Sequence, residues 1–155
     1  MANDNSLIER LRARTPDEWW SRAPASPDEV EDLERELGVR LPEDYRQLLL
    51  ASNGGSINGP RASINLESAQ GVLDMNLDGG YQDELPEMIV IGDDGGGDLY
   101  FYDPTNKLGR GAYAIYLVGM ADLDPAAAAF VAPSLSEAID RVYAGESFRR
   151  PPGSP

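Results

Sequence analysis

Three aspartates, Asp93, Asp94 and Asp98, enclose the run Gly95-Gly96-Gly97. Carboxylates this close could hold a divalent cation. With one carboxyl kept protonated by burial, they could also serve as a general acid–base pair. The spacing opposes a calcium loop. Counted from Asp93, the third and fifth positions need oxygen-bearing side chains and are Gly95 and Gly97. A glycine-rich calcium repeat fails as well, because Asp98 follows the glycines directly. A phosphate cradle needs a Lys and a Ser or Thr after its last glycine, and here Asp98-Leu99-Tyr100 follows. A dinucleotide fingerprint would need glycine where Tyr100 stands, and three carboxylates repel a pyrophosphate. A turn remains. The apolar runs Met88–Ile91 and Leu99–Tyr102 flank residues that accept positive φ, which predicts a β-hairpin. The three carboxylates are expected to be exposed, since no Lys or Arg occurs between Ala62 and Asn106. An Asp93–Asp98 acid–base pair would need burial that so wet a loop denies it.

The elements around this turn follow from periodicity and capping. Ser6 to Arg14 reads as a helix with Leu7, Ile8 and Leu11 on one side, and Asp17-Glu18-Trp19-Trp20 as a further short helical turn. On a helix the two tryptophans point about 100° apart, so one is expected in the core and the other as a lid or contact. Ser26-Pro27-Asp28-Glu29 is a capping box with proline at the first helical position, and Val30, Leu33 and Leu37 share a face that Gly38 ends. Leu41-Pro42-Glu43-Asp44-Tyr45 opens the next helix, with Tyr45, Leu48 and Leu49 as its apolar stripe and Asn53-Gly54-Gly55 as its stop. Ile64 and Leu66 suggest a short strand, and Ser68 a cap for a helix through Val72, Leu73 and Met75. Ala112–Val118 and Phe130–Ala132 read as further strands, and Ser134 opens a closing helix lined by Leu135, Ala138, Ile139, Val142 and Tyr143. Helices, then strands, then a helix is an α+β pattern rather than an alternating βαβ one.

Composition narrows the chemistry. A chain of 155 residues with 41% hydrophobic content suits one domain. No apolar run approaches the roughly 18 residues of a membrane helix, and the opening residues lack a signal-peptide core. The expectation is a cytoplasmic protein. Cysteine and histidine are absent, which removes thiol nucleophiles, disulfides, thiolate zinc sites and histidine-based triads. The net charge is −14, so nucleic acid and anionic membrane are poor partners and a basic protein is a good one. The stretch without cations carries Glu67, Asp74, Asp78, Asp83, Glu84, Glu87, Asp93, Asp94, Asp98 and Asp103.

The run from Ser26 to Gly55, with Leu37-Gly38, Leu41-Pro42, Tyr45, Leu48-Leu49 and Asn53-Gly54-Gly55 in order, resembles the opening signature of the SUKH superfamily. Ile91-Gly92 through Gly97-Asp98-Leu99-Tyr100-Phe101 resembles that family's strand–turn–strand, and Leu135 to Tyr143 its last helix. The family includes bacterial immunity proteins of toxin systems and the fungal cell-wall-synthesis regulator. The resemblance implies an α+β domain over residues 20–146. Its mixed, mostly antiparallel sheet would be flanked by N-terminal helices and a C-terminal helix. Residues 1–19 form a helical extension and residues 147–155 a Pro-rich tail in this reading. The implied function is a non-catalytic binding module without cofactor or metal, an immunity protein that masks a basic toxin domain such as a nuclease. The alternative is a regulatory or scaffold module with no toxin partner. The matched residues read as fold determinants, so the partner surface is expected elsewhere. Asp74, Asp78, Asp83, Glu84, Asp93 and Asp94 are the expected electrostatic contributors, with Tyr81 as an aromatic anchor.

Overall fold

The computed structural model describes residues 5–77 and 81–148. Three helices open the chain around a short strand: α1 (Asn5–Arg12), β1 (Trp19–Ser21), α2 (Pro27–Leu37) and α3 (Glu43–Ala51). Strands β2 (Gly55–Asn58) and β3 (Ser63–Leu66) lead into α4 (Ala69–Leu77). Then come β4 (Ile89–Asp93), β5 (Asp98–Asp103), β6 (Ala114–Gly119), a single 3-10 turn at Pro125–Ala127, β7 (Ala129–Ala132) and α5 (Leu135–Tyr143). The seven strands pair in chain order, each antiparallel to the next, so the described sheet is an antiparallel meander. The fold class is α+β, as the sequence implies. No helix among the described residues is long and apolar enough to cross a membrane.

Local signals set the helix ends. The Ser26 hydroxyl accepts from the Glu29 amide while the Glu29 carboxylate accepts from the Ser26 amide, and Gly38 closes α2 at φ 71°. Ser134 caps α5 through the Glu137 amide. Two local readings change. Trp19 and Trp20 sit on β1, not on a helical turn, because β2 offers their backbone a partner. Alternation along the strand then separates them: Trp19 packs against the main core and Trp20 stays 53% exposed. Helix α3 ends at Ser52 in extended conformation, so Asn53-Gly54-Gly55 is no helix stop. Gly55 instead begins β2 at φ 123°, and a Cβ there would lie 2.5 Å from the Trp20 carbonyl oxygen. The glycine lets β1 approach. Asn53 reaches forward, its Oδ1 accepting from the Ala69 amide to cap α4.

The central strands are buried on both faces. Ile89, Ile91, Tyr100, Tyr102, Ile115 and Leu117 face the helical layer, where α1, α2, α3 and α5 contribute Leu7, Leu11, Val30, Leu33, Leu48 and Ile139. The alternate residues Val90, Leu99, Phe101, Tyr116 and Val118 form a second cluster with Leu85 and Met88. On that side α4 contributes only Met75 among the described residues. Loop residues complete the cover, with Tyr81, Leu108, Leu123 and Ala128 packed against the cluster. Three buried polar side chains hold these loops and junctions. Asn76 accepts from the Val90 amide and donates to the Val90 carbonyl, serving the edge of β4 where β3 has turned away. Asp103 accepts from the Lys107 and Leu108 amides and so shapes the β5–β6 loop. Asp44 in α3 accepts from the Ser136 amide and hydroxyl at the start of α5.

Candidate functional site

The Asp/Gly turn joins β4 to β5 as a hairpin, with Asp93 opposite Leu99 and the Asp94 amide bonded to the Asp98 carbonyl. Its carboxylates are half-exposed, where full exposure was expected, and those of Asp93 and Asp94 bond inward to the loop and to β3. Asp93 Oδ1 accepts from the Gly95 amide and from Asn65 Nδ2 on β3, at 2.8 and 3.0 Å. Asp94 Oδ1 accepts from the Gly96 and Asp98 amides, at 2.8 and 3.0 Å. The bonds are those of Asx turns, in which a short acidic side chain replaces a backbone carbonyl. They fix the shape of the tip.

The neighbouring strand enlarges this acidic end. Asp98 pairs with Gly119 at the end of β6, and the next amide, that of Met120, donates to the Gly97 carbonyl. Met120 is 46% exposed beside the tip. The chain continues through Asp122 and Asp124, both exposed, and Asp124 Oδ1 caps the 3-10 turn. Five carboxylates therefore accompany one exposed thioether at one end of the sheet. Alongside lies a cleft of about 390 Å³, whose lining includes Pro60, Arg61, Asp94, Tyr100, Leu117 and Phe148. The Tyr100 hydroxyl donates to the Ser63 carbonyl, tying the β2–β3 turn to this wall.

The other expected contributors stand apart. Asp83 and Glu84 are exposed on the segment preceding β4, and Tyr81 is half-buried against the second core cluster. Four residue steps of β4 separate that segment's end from the tip, roughly 13 Å along the strand. Asp74 lies on the exposed side of α4, accepting from Gln70. Asp78 lies outside the described residues. At the end of the sheet away from the tip, the β5–β6 loop brings a cation back. Lys107 pairs with Glu87, and that contact raises the lysine's pKa. Asp103 is fully buried and adds nothing to the surface. The tip thus gathers Asp93 and Asp94 with three carboxylates and a methionine that sequence reasoning does not select. Met120 and Asp122 could be suspected only from the antiparallel pairing of β5 with β6.

The model of the SMI1 / KNR4 family (SUKH-1) matches residues 24–141. The chain belongs to the SMI1/KNR4 family. It is also similar to a Bacillus subtilis (strain 168) relative named "Uncharacterized protein YnaB". The two are 36% identical over 109 residues, covering 66% of this chain and 67% of the relative. The family match spans the core from just after β1 to most of α5, including the hairpin tip and the Met120–Asp124 loop.

Proposed function

We propose that this SUKH-domain protein is a non-catalytic binding module that masks a positively charged protein, as an immunity protein masks a basic toxin domain. The supporting observation is the acidic sheet end, where Asp93, Asp94, Asp98, Asp122 and Asp124 accompany the exposed Met120. A desolvated apolar anchor with charged neighbours is the usual anatomy of a specific interface. The carboxylates raise the encounter rate with a cationic surface and disfavour anionic competitors. A nuclease groove, built to receive phosphates, is a cationic surface of this kind. The hairpin suits the role mechanically, because Asx turns hold the charges in place before the partner arrives. Family membership supports a binding role, and the immunity role is our extension of it. Asp83, Glu84, Asp74 and Tyr81 would then stand outside the contact surface, with solvent and salt screening the three carboxylates from it.

The test is a pull-down with the products of neighbouring genes, followed by stopped-flow association with the captured protein. The comparison pairs Asp98→Asn/Asp122→Asn at the tip with Asp83→Asn/Glu84→Asn at the distant segment. Neutralising the tip is expected to slow association several-fold at low ionic strength and to flatten its salt dependence, with the distant pair changing little. Met120→Ala is expected to act on dissociation instead. A captured partner with no basic surface, or equal effects from the two pairs, refutes the reading.

A further inference from the structure

Helix α5 delivers the end of the described chain to the acidic tip. Its last turn lies against the β2–β3 turn, where a Cβ on Gly59 would stand 2.1 Å from the Val142 carbonyl oxygen. A Schellman motif then reverses the chain. The Glu146 amide donates to the Arg141 carbonyl and the Gly145 amide to the Val142 carbonyl, with Gly145 at φ 88°. A Cβ on Gly145 would touch Pro60. Ser147 and Phe148 follow as lining of the cleft of about 390 Å³, together with Pro60, Arg61 and Asp94. Phe148 is half-buried against the main core, so the fold itself fixes where the chain enters the cleft.

The next residues in the sequence are Arg149 and Arg150, then Pro151 and Pro152. Residues 149–155 lie outside the described part of the chain. A residue spans at most about 3.6 Å, so both arginines stay within reach of the cleft that Phe148 lines. The far wall of that cleft is anionic. Asp94 lines it, and Asp98 shares a sheet face with Tyr100, another lining residue. Arg61 is the one cation among the described lining residues, and the carboxylates of the tip outnumber it. Arg150 precedes a proline, which confines it to extended backbone and leaves less freedom to lose on docking. A tether this short gives the two guanidiniums an effective concentration on the order of millimolar.

We propose that residues 149–155 are an intramolecular occupant of this cleft. Arg149 and Arg150 pair with Asp94 and Asp98, and the tail masks the acidic tip against weak cationic ligands until a partner displaces it. The inference rests on the reading of the tip as a cation-binding surface and adds a threshold to it, since a partner must outcompete two tethered guanidiniums. The test compares amide NMR spectra of the full chain and its Arg149→Ala/Arg150→Ala variant. Arg35→Ala/Arg40→Ala serves as control, removing the same charge from exposed positions on and just after α2. The tail variant is expected to shift the Gly95, Gly96 and Asp98 amides and to leave those of Asp83 and Glu84 in place, while the control moves neither set. Raising the ionic strength should carry the parent's tip amides toward their positions in the tail variant. Tetra-arginine, used as a cationic probe, is expected to titrate the same amides. It should bind the tail variant about three- to tenfold more tightly than the parent, the size of difference two exposed ion pairs give. Identical tip amides in the parent and the tail variant overturn the proposal, as do equal probe affinities or a control that moves the tip as much. If the probe still titrates the tip in those cases, the acidic-surface reading stands. A probe that leaves the tip unmoved in both chains removes that reading along with the proposal.

Discussion

Replacing Asn76 tests how β4 keeps its place in the sheet. The side chain is fully buried and spans both the amide and the carbonyl of Val90, at 2.9 and 2.8 Å, as a neighbouring strand would. Strand β3 pairs with β4 only at Asn65–Asp93 and Leu66–Gly92 before the chain turns toward α4. Asn76→Ala therefore orphans two buried backbone groups. Each costs about 1–3 kcal/mol when left unserved, so the expected loss is about 2–6 kcal/mol. Domains of ordinary stability hold about 5–15 kcal/mol in total, and a loss of about 4 would be a large share. At this chain length it lowers Tm by roughly 8–16 °C. Asn76→Asp separates the two bonds, since a carboxylate can accept from the Val90 amide but cannot donate to its carbonyl. Burial raises the introduced carboxyl's pKa above its unfolded value, so the folded state holds the proton more tightly. The defect is then greatest at neutral pH and shrinks as pH falls through the folded pKa toward the unfolded one. Urea unfolding of both variants from pH 4 to 8, with hydrogen exchange at the Val90 amide, reads each part. A loss below about 1 kcal/mol in Asn76→Ala with the Val90 amide still protected would refute the strand-surrogate role.

Two further outcomes follow from the geometry. Gly55→Ala adds a Cβ 2.5 Å from the Trp20 carbonyl oxygen at positive φ. Strain of about 1–2 kcal/mol and overpacking of about 1–3 sum to a loss of about 2–5 kcal/mol, with β1 peeling away. Gly38→Ala meets open space, so only the backbone strain of about 1–2 kcal/mol is expected, and equal melting shifts for the two variants would contradict the packing account. In alkali, Tyr143 should contribute its own slope. Burial pushes its phenol up to about 12, Glu18 adding to the rise and Arg14 opposing it, and its hydroxyl donates to the Glu18 carbonyl. An unfolded tyrosine releases its proton near pH ~10, so this stabilisation is complete below that pH and disappears between there and about 12. Tyr143→Phe should flatten the fall of the urea midpoint over that window, and an unchanged slope would show that the phenol does not contribute.

Where a signal is local in the chain, the sequence alone suffices to read it. The capping box Ser26–Glu29, the stop at Gly38 and the stripe Tyr45, Leu48, Leu49 specify helices through bonds and contacts within a few residues. The hairpin at Asp93–Asp98 is legible for the same reason, since Asx turns are closed by the residues that form them. The expectation that its carboxylates are fully exposed holds only in part, because Asp93 and Asp94 also cap local amides that periodicity does not reveal. Strands β1 and β2 escape a reading of the sequence altogether. Three or four residues carry too little alternation to declare a strand, and Trp19-Trp20 becomes one only because Gly55 lets β2 lie beside it.

Net charge and its concentration between Ala62 and Asn106 are properties of the chain, and by themselves they favour a cationic partner. Where each charge lies is a property of the sheet. Antiparallel pairing returns β6 to the start of β5, bringing Met120, Asp122 and Asp124 to the hairpin tip while the length of β4 carries Asp83 and Glu84 away from it. The same folding buries Asp103, pairs Glu87 with Lys107 and leaves the buried Tyr102 hydroxyl without a partner. Contacts such as Asp44 to Ser136 join residues 92 positions apart. No pattern within a helix turn or a strand repeat encodes a neighbour that distant, so only the packed chain could decide these roles.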